Sequence, residues 1–198
     1  MPCRKSRANG PLLSGPKGEQ PVPQPQSELP PFQDFKIDDL LIRGITPDDA
    51  EGLTRVLNMP GVRWGTLRQP FQSVALTRKY LEGLSPSDIV VAAEWRGGIL
   101  GNAGLHARTG RQKHIATLGI GIHDDFAGKG IGSRLLAALI DAADNWHDIR
   151  RIELNVFTDN LAAIRLYEKF GFEHEGTMRN YAYRDGKYTD SYVMARLR

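Results

Sequence analysis

The sequence predicts a mixed α/β domain whose central sheet is mostly antiparallel, with a single β–α–β crossover in its second half. Three observations carry this. Short apolar and β-branched runs recur between turn residues. One long stretch, with Leu135, Leu136, Leu139, Ile140, Ala143 and Trp146, repeats at the three-and-four spacing of a buried helix face. A strand, a glycine-rich turn, that helix and another strand follow one another directly.

Taken in order, Leu40–Ile45 is a short strand, and Pro47-Asp48-Asp49 opens a helix through about Leu57, with proline and acids in its first turn. Met59–Gln72 reads as a loop, and Ser73 caps a second helix to about Leu84. Asp88–Trp95 and Ile99–His106 flank Arg96-Gly97-Gly98 as a hairpin, and His114–Ile122 is the next strand. The long helix spans about Ile131–Trp146. Ile152–Phe157 is a strand, Leu161–Phe170 a helix, and Phe172–Tyr181 with Tyr188–Leu197 close the chain as strands.

Composition narrows the function. The 198 residues are 40% hydrophobic and 25% charged, a globular balance with room for one ordinary domain. Eight of the twelve prolines fall in residues 1–36, with few apolar groups to bury. Ordering that stretch would not recover its entropy cost, so it is expected to be a disordered extension, and the compact domain to span 37–198. A polyproline-type ligand for a partner is the functional alternative there. The formal charge is +3, of which +2 belongs to residues 1–36, so the body lacks the single-sign face of a nucleic-acid binder. The single Cys3 excludes an intramolecular disulfide and a multi-cysteine zinc site. No apolar run approaches the roughly 18 residues of a membrane span, and the basic N-terminus lacks the apolar segment of a signal peptide. A cytoplasmic protein with small-molecule chemistry is expected.

The turn Ile120-Gly121-Ile122-His123-Asp124-Asp125-Phe126-Ala127-Gly128-Lys129-Gly130-Ile131-Gly132-Ser133 is the most informative segment. Alternating glycines let backbone approach a ligand, and the first amides of the following helix have no helical acceptor, so they suit a phosphate. A Walker loop is excluded, because His123 stands where its first glycine belongs and Gly130 where the Ser/Thr after Lys129 belongs. A dinucleotide fingerprint lacks its last glycine, since Ser133 or Leu135 occupies that place. A tight turn without a ligand stays open on these residues alone.

The segment resembles the pyrophosphate turn of the GNAT acetyltransferases, [Q/R]-x-x-G-x-[G/A], with Gly130 and Gly132 in place and Ala127 where the family usually has Gln or Arg. Further on, Asn160, Ala163, Leu166, Tyr167, Gly171 and Phe172 fill every defining position of a second GNAT signature, N-x-x-A-x-x-L-Y-x-x-x-G-F. The resemblance covers about residues 40–198. The loop Trp64–Ser73 and the tail Gly176–Ala195 resemble the L-amino-acid N-acyltransferase branch of that family.

The resemblance implies the GNAT fold, with a βαβ core that binds acetyl-CoA, and N-acetylation of a primary amine. A neutral amine attacks the thioester, an oxyanion forms and the CoA thiolate leaves. The implied cofactor residues are Ile120, Gly121 and Ile122 along the pantetheine, Gly128, Lys129, Gly130, Ile131, Gly132 and Ser133 around the pyrophosphate, and Asn160. Tyr167 matches the family's general acid. Many relatives carry a Glu on the central strand or the strand before the second motif, and those places are read here as Ala116 and Asn155, so no base is named. His106, His114, His123 and a water relay stay open. Arg63, Arg68 and Tyr183, with Trp64, Gln69, Tyr181 and Tyr188 nearby, are candidates for the acceptor side, where an amino acid carboxylate would want an arginine. The expected partners are acetyl-CoA and a small amine, with no metal, nucleic acid or membrane, and with room for a homodimer. An aminoglycoside, polyamine or protein α-amine, or an inactive CoA-binding sensor, are the alternatives.

Overall fold

The computed structural model describes residues 34–198, so the stretch expected to be disordered lies outside the described residues as far as residue 33. Phe35 packs edge-to-face on Trp95 and Phe126, with ring centres 5.5 and 5.3 Å away. The elements run β1 (Leu41–Gly44), α1 (Ala50–Leu57), α2 (Pro60–Gly65), α3 (Val74–Glu82), β2 (Ile89–Trp95), β3 (Gly98–Ala107), β4 (Ile115–Ile122), α4 (Ile131–Asn145), β5 (Arg151–Phe157), α5 (Leu161–Lys169), β6 (Glu173–Arg184) and β7 (Lys187–Leu197). The strands form one sheet in the order β1-β2-β3-β4-β5-β7-β6. Every neighbouring pair is antiparallel except β4 and β5. The expected mixed, mostly antiparallel α/β class is the one observed.

Local chemistry sets the boundaries. The first helix is preceded by a 3₁₀ turn, Pro47–Asp49, where Thr46 and Asp49 form a capping box. Asp49 also takes two hydrogen bonds from Arg43, at 2.7 and 2.8 Å, which hold its carboxyl below the usual carboxylate range. The two hairpin turns, Arg96-Gly97 and Asp185-Gly186, both have positive φ at each residue, the geometry that matches strand twist in a two-residue loop. Past the end of α5, Gly171 adopts φ 82°, and the amides of Gly171 and Phe172 bond back to Glu168 and Tyr167.

Two sequence expectations are corrected. Residues 60–65, read as loop, form α2. Pro60 starts it without needing its missing N–H, but six residues, two of them glycines, are too short to show a helical period. Trp146 does not extend the buried face of the long helix. It leaves helical geometry at φ −123° and stands 80% exposed, while Leu135, Leu136, Leu139 and Ala143 are buried as expected.

The sheet separates two apolar clusters. One joins α4, α5 and the strands through Leu100, Leu105, Leu118, Leu135, Leu139, Ile152 and Leu154. The other gathers Leu53, Val56, Leu57, Val62 and Leu81 of α1, α2 and α3 against Ala92 and Ile99.

Candidate active site

The parallel ladder between β4 and β5 is three pairs long and ends at Thr117–Glu153. Beyond it each strand keeps only its antiparallel partner: β4 follows β3 to Ile122–Gly101, and β5 follows β7 to Phe157–Ser191. The diverging ends open a cavity of about 770 Å³ in the middle of the sheet. Such a gap exposes unpaired strand amides and carbonyls to whatever enters.

One wall is the glycine turn. Gly128 and Gly130 have φ of 75° and 86°, a backbone that side chains resist, and Gly130, the N-cap of α4, supplies no side-chain cap. The first backbone bond into the helix runs from the Arg134 amide to the Gly130 carbonyl, at 3.2 Å, so the amides of Ile131, Gly132 and Ser133 precede the helical ladder. A Cβ on Gly132 would come within 3.0 Å of Leu166 and 3.1 Å of Ile122, so glycine lets α4, α5 and β4 meet here. Bare backbone donors at the positive end of a fifteen-residue helix fit a diphosphate. The missing side chain at Ala127, which lines the cavity, leaves these donors intact.

The opposite wall comes from α5. Asn160 caps that helix by accepting from the Ala163 amide at 3.3 Å, and its Nδ2 approaches Gly65 of α2 so closely that a Cβ there would lie 3.1 Å away. Tyr167 lines the cavity from the same helix, although its ring is buried against Phe172 at 5.7 Å. Its hydroxyl makes no hydrogen bond to another described residue. Burial pushes its pKa well up, so the phenol stays protonated and can donate.

The far end is closed by Gly61, Val62, Gly65, Thr66 and Leu67 of α2 and its exit, and by Asn155, Tyr181 and Ser191. Asn155 donates to the Tyr181 hydroxyl at 3.2 Å, and Ser191 to the Val156 carbonyl at 3.0 Å. Asp124 is the carboxylate in the lining, and it accepts the Gly61 amide at 2.8 Å.

Of the residues predicted from sequence, Ile120, Gly121, Ile122, Gly128, Gly130, Gly132, Ser133, Asn160 and Tyr167 line this cavity together. Lys129 and Ile131 do not: the Lys129 ammonium stands over the rings of Phe126 and Phe35, and Ile131 is buried in the core. Arg63, Arg68 and Tyr183 also lie outside the lining. Arg68 stacks on Tyr80, 5.7 Å from the ring centre, and Tyr183 is an exposed partner of Tyr188. Of the two adjacent β4 residues at the end of the parallel ladder, Thr117 lines the cavity and Ala116, buried in the core, does not.

None of the three histidines left open as bases is in the lining. His106 sits between Asp88 and the Tyr80 hydroxyl, at 3.4 and 3.3 Å. His114 lies in the turn before β4. His123 is buried against Phe126, which lowers its pKa. Asp124, Thr117, Thr66 and Ser191 were missed. Thr117 enters the lining because the parallel ladder stops there, and α2 and Asp124 meet only in three dimensions. Among the described residues no three His, Cys, Asp or Glu side chains gather where a metal ion could sit, and no helix is long and apolar enough to cross a membrane.

A sheet splayed at its one parallel pair, with an uncapped glycine helix start at the gap, has the form that the resemblance to the GNAT acetyltransferases implies for an acetyl-CoA site. A model of the Acetyltransferase (GNAT) family matches residues 59–172, and the chain belongs to that family: it is an acetyl-CoA-dependent N-acetyltransferase. It is 34% identical over 161 residues to the L-amino acid N-acetyltransferase AaaT of Escherichia coli, covering 81% of this chain and 99% of that one. Its fold matches the crystal structure of a GNAT-family acetyltransferase from Streptococcus pneumoniae with a TM-score of 0.72 and 32% identity, over 80% of this chain and 99% of that one. It likewise matches a phosphinothricin acetyltransferase from Sinorhizobium meliloti solved with acetyl-CoA, at TM-score 0.72, 22% identity, and 80% and 88% coverage.

Proposed function

We propose that the amine acetylated by this enzyme belongs to a free amino acid. The observation that carries this reading is the similarity to an L-amino acid N-acetyltransferase along 99% of that relative's length, which extends well beyond the cofactor turn. The cavity supports it. Its lining carboxylate, Asp124, already accepts the Gly61 amide, and no acidic cluster is there to hold a polyamine or an aminoglycoside.

In this reading the amides of residues 128–133 hold the diphosphate, Gly121 and its neighbours on β4 bond the pantetheine arm, and the Asn160 amide group donates from the other side. Acetyl-CoA supplies an activated thioester carbonyl. Tyr167 donates a hydrogen bond to the departing sulfur and stays protonated. An ordinary phenol is already a weaker acid than a thiol by about 2 kcal/mol, and burial widens that gap. Thr117, Asn155 and Tyr181 present neutral polar groups that order water and the incoming amine, and the amine's proton leaves through that water rather than to a side-chain base.

Thiol release from acetyl-CoA, measured against a panel of amino acids, polyamines, aminoglycosides and a short peptide with a free N-terminus, tests the acceptor. An amino acid is expected to give the highest kcat/KM. A polyamine, aminoglycoside or peptide exceeding it by about tenfold would overturn the amino acid reading, and acetyl-CoA binding without turnover on any amine would favour the sensor.

A further inference from the structure

We infer that Arg184, near the end of β6, is a positioning residue that latches α2 over the acceptor end of the cavity; this rests on the acceptor reading above. The Arg184 guanidinium is stacked between two rings, 4.2 Å from the centre of Trp64 and 4.7 Å from that of Phe157. It donates to the Trp64 carbonyl at 3.0 Å and pairs with the Asp159 carboxylate. Its side chain is 10% exposed.

Each of these contacts ends at, or one residue from, the cavity wall. Phe157 lines the cavity itself, Gly65 follows Trp64, and Asn160 follows Asp159. Arg184 lies three residues beyond Tyr181, another lining residue. One side chain therefore fixes α2, the β5–α5 turn and the closing hairpin relative to one another. At its other end α2 is held by Asp124, through the Gly61 amide. The bonds of Thr66, to the Val62 carbonyl and from the Arg68 amide, stay inside the segment and cannot place it against the sheet.

Stability alone gives a poor reason for a guanidinium here. Its Nε is buried without an acceptor among the described residues, and taking a cation out of water costs more than a pair of this kind regularly returns. An unbranched apolar side chain would fill the space between the rings without that cost. What it could not do is bond the Trp64 carbonyl and Asp159 at once.

The test is Arg184→Met in the full-length enzyme, followed by steady-state kinetics, acetyl-CoA calorimetry, thermal melting and hydrogen exchange of residues 60–69 with acetyl-CoA bound. The amine KM is expected to rise about tenfold, with acetyl-CoA affinity within about twofold of wild type and the melting temperature unchanged or higher, and exchange at 61–68 to quicken about tenfold. An amine KM within about twofold together with unchanged exchange overturns the latch. So does a parallel fall in acetyl-CoA affinity and melting temperature, which is what a merely structural residue would give. If Arg184→Met does not fold, Trp64→Leu removes one ring at a partly exposed position and is held to the same outcomes at about threefold. If the wild type acetylates no amine, the acceptor reading fails by itself and the exchange data alone decide the latch.

Discussion

The starts of α3 and α4 solve the same problem in opposite ways. Each helix begins with amides that have no partner within the helix. At α3, Ser73 turns its hydroxyl back to accept the Leu76 amide at 3.2 Å, and that helix end contributes nothing to the cavity. At α4 the N-cap is Gly130, in a left-handed conformation and with no side chain to offer, and the bare end is part of the cavity wall. The α5 start is intermediate: Asn160 uses its oxygen as a cap and faces the cavity as well. A filled cap stabilises a helix, whereas an empty one beside a cavity keeps its donors for a ligand.

Filling the α4 end is the largest way to break this comparison. In Gly132→Val, the Cβ already meets Leu166 and Ile122 at 3.0 and 3.1 Å, and two further methyls force α4 away from the splayed strand or project into the gap. Acetyl-CoA affinity is expected to fall about a hundredfold, or about 2.7 kcal/mol, by calorimetry. Affinity within about threefold of wild type would mean that these amides do not hold the diphosphate. Tyr167→Phe sharpens the comparison from the facing helix. It keeps the buried ring and its contact with Phe172 while removing the one donor. The expected result is a kcat lowered at least about tenfold with acetyl-CoA binding retained, read from single-turnover rates. Wild-type turnover would refute a role at the sulfur.

Most of the cofactor half was legible because it is local. Strand, glycine turn and helix follow one another within residues 115–145, and Asn160 through Phe172 lie on one helix and its stop, so spacing alone carries them. Even there the sequence could not say that Lys129 lies over two aromatic rings or that Ile131 turns inward, because side-chain direction in a turn depends on φ rather than on order. The acceptor half is non-local. Gly61 meets Asp124, Trp64 meets Arg184, and Asn155 meets Tyr181, across separations of 63, 120 and 26 positions. Chemistry pointed to arginine there, but to Arg63 and Arg68 in the loop. The cation that braces the acceptor wall is Arg184, 120 positions from the residue it holds and legible only once the hairpin is folded back.

The smallest effect tests the other side of the comparison. Ser73→Ala empties the α3 cap, leaving the Leu76 amide to water, and a lost serine cap costs about 1 kcal/mol. For a domain of this size that lowers the melting temperature by about 2–4 °C. Kinetics should not move, since α3 contributes no residue to the cavity lining and stays held by the buried Thr54–Thr77 bond at 2.7 Å and its packing on α1. A route by which it could runs through the residue beside the cap. The Asn58 side chain donates to the carbonyl of Gln72, next to the cap, at 2.8 Å and accepts from the Gln72 amide at 2.9 Å, and Asn58 stands two residues before α2. An amine KM raised more than about twofold in Ser73→Ala would show that the cap helps to place the acceptor wall along that route. A melting shift with unchanged kcat and KM keeps the two helix starts apart, one for stability and one for binding.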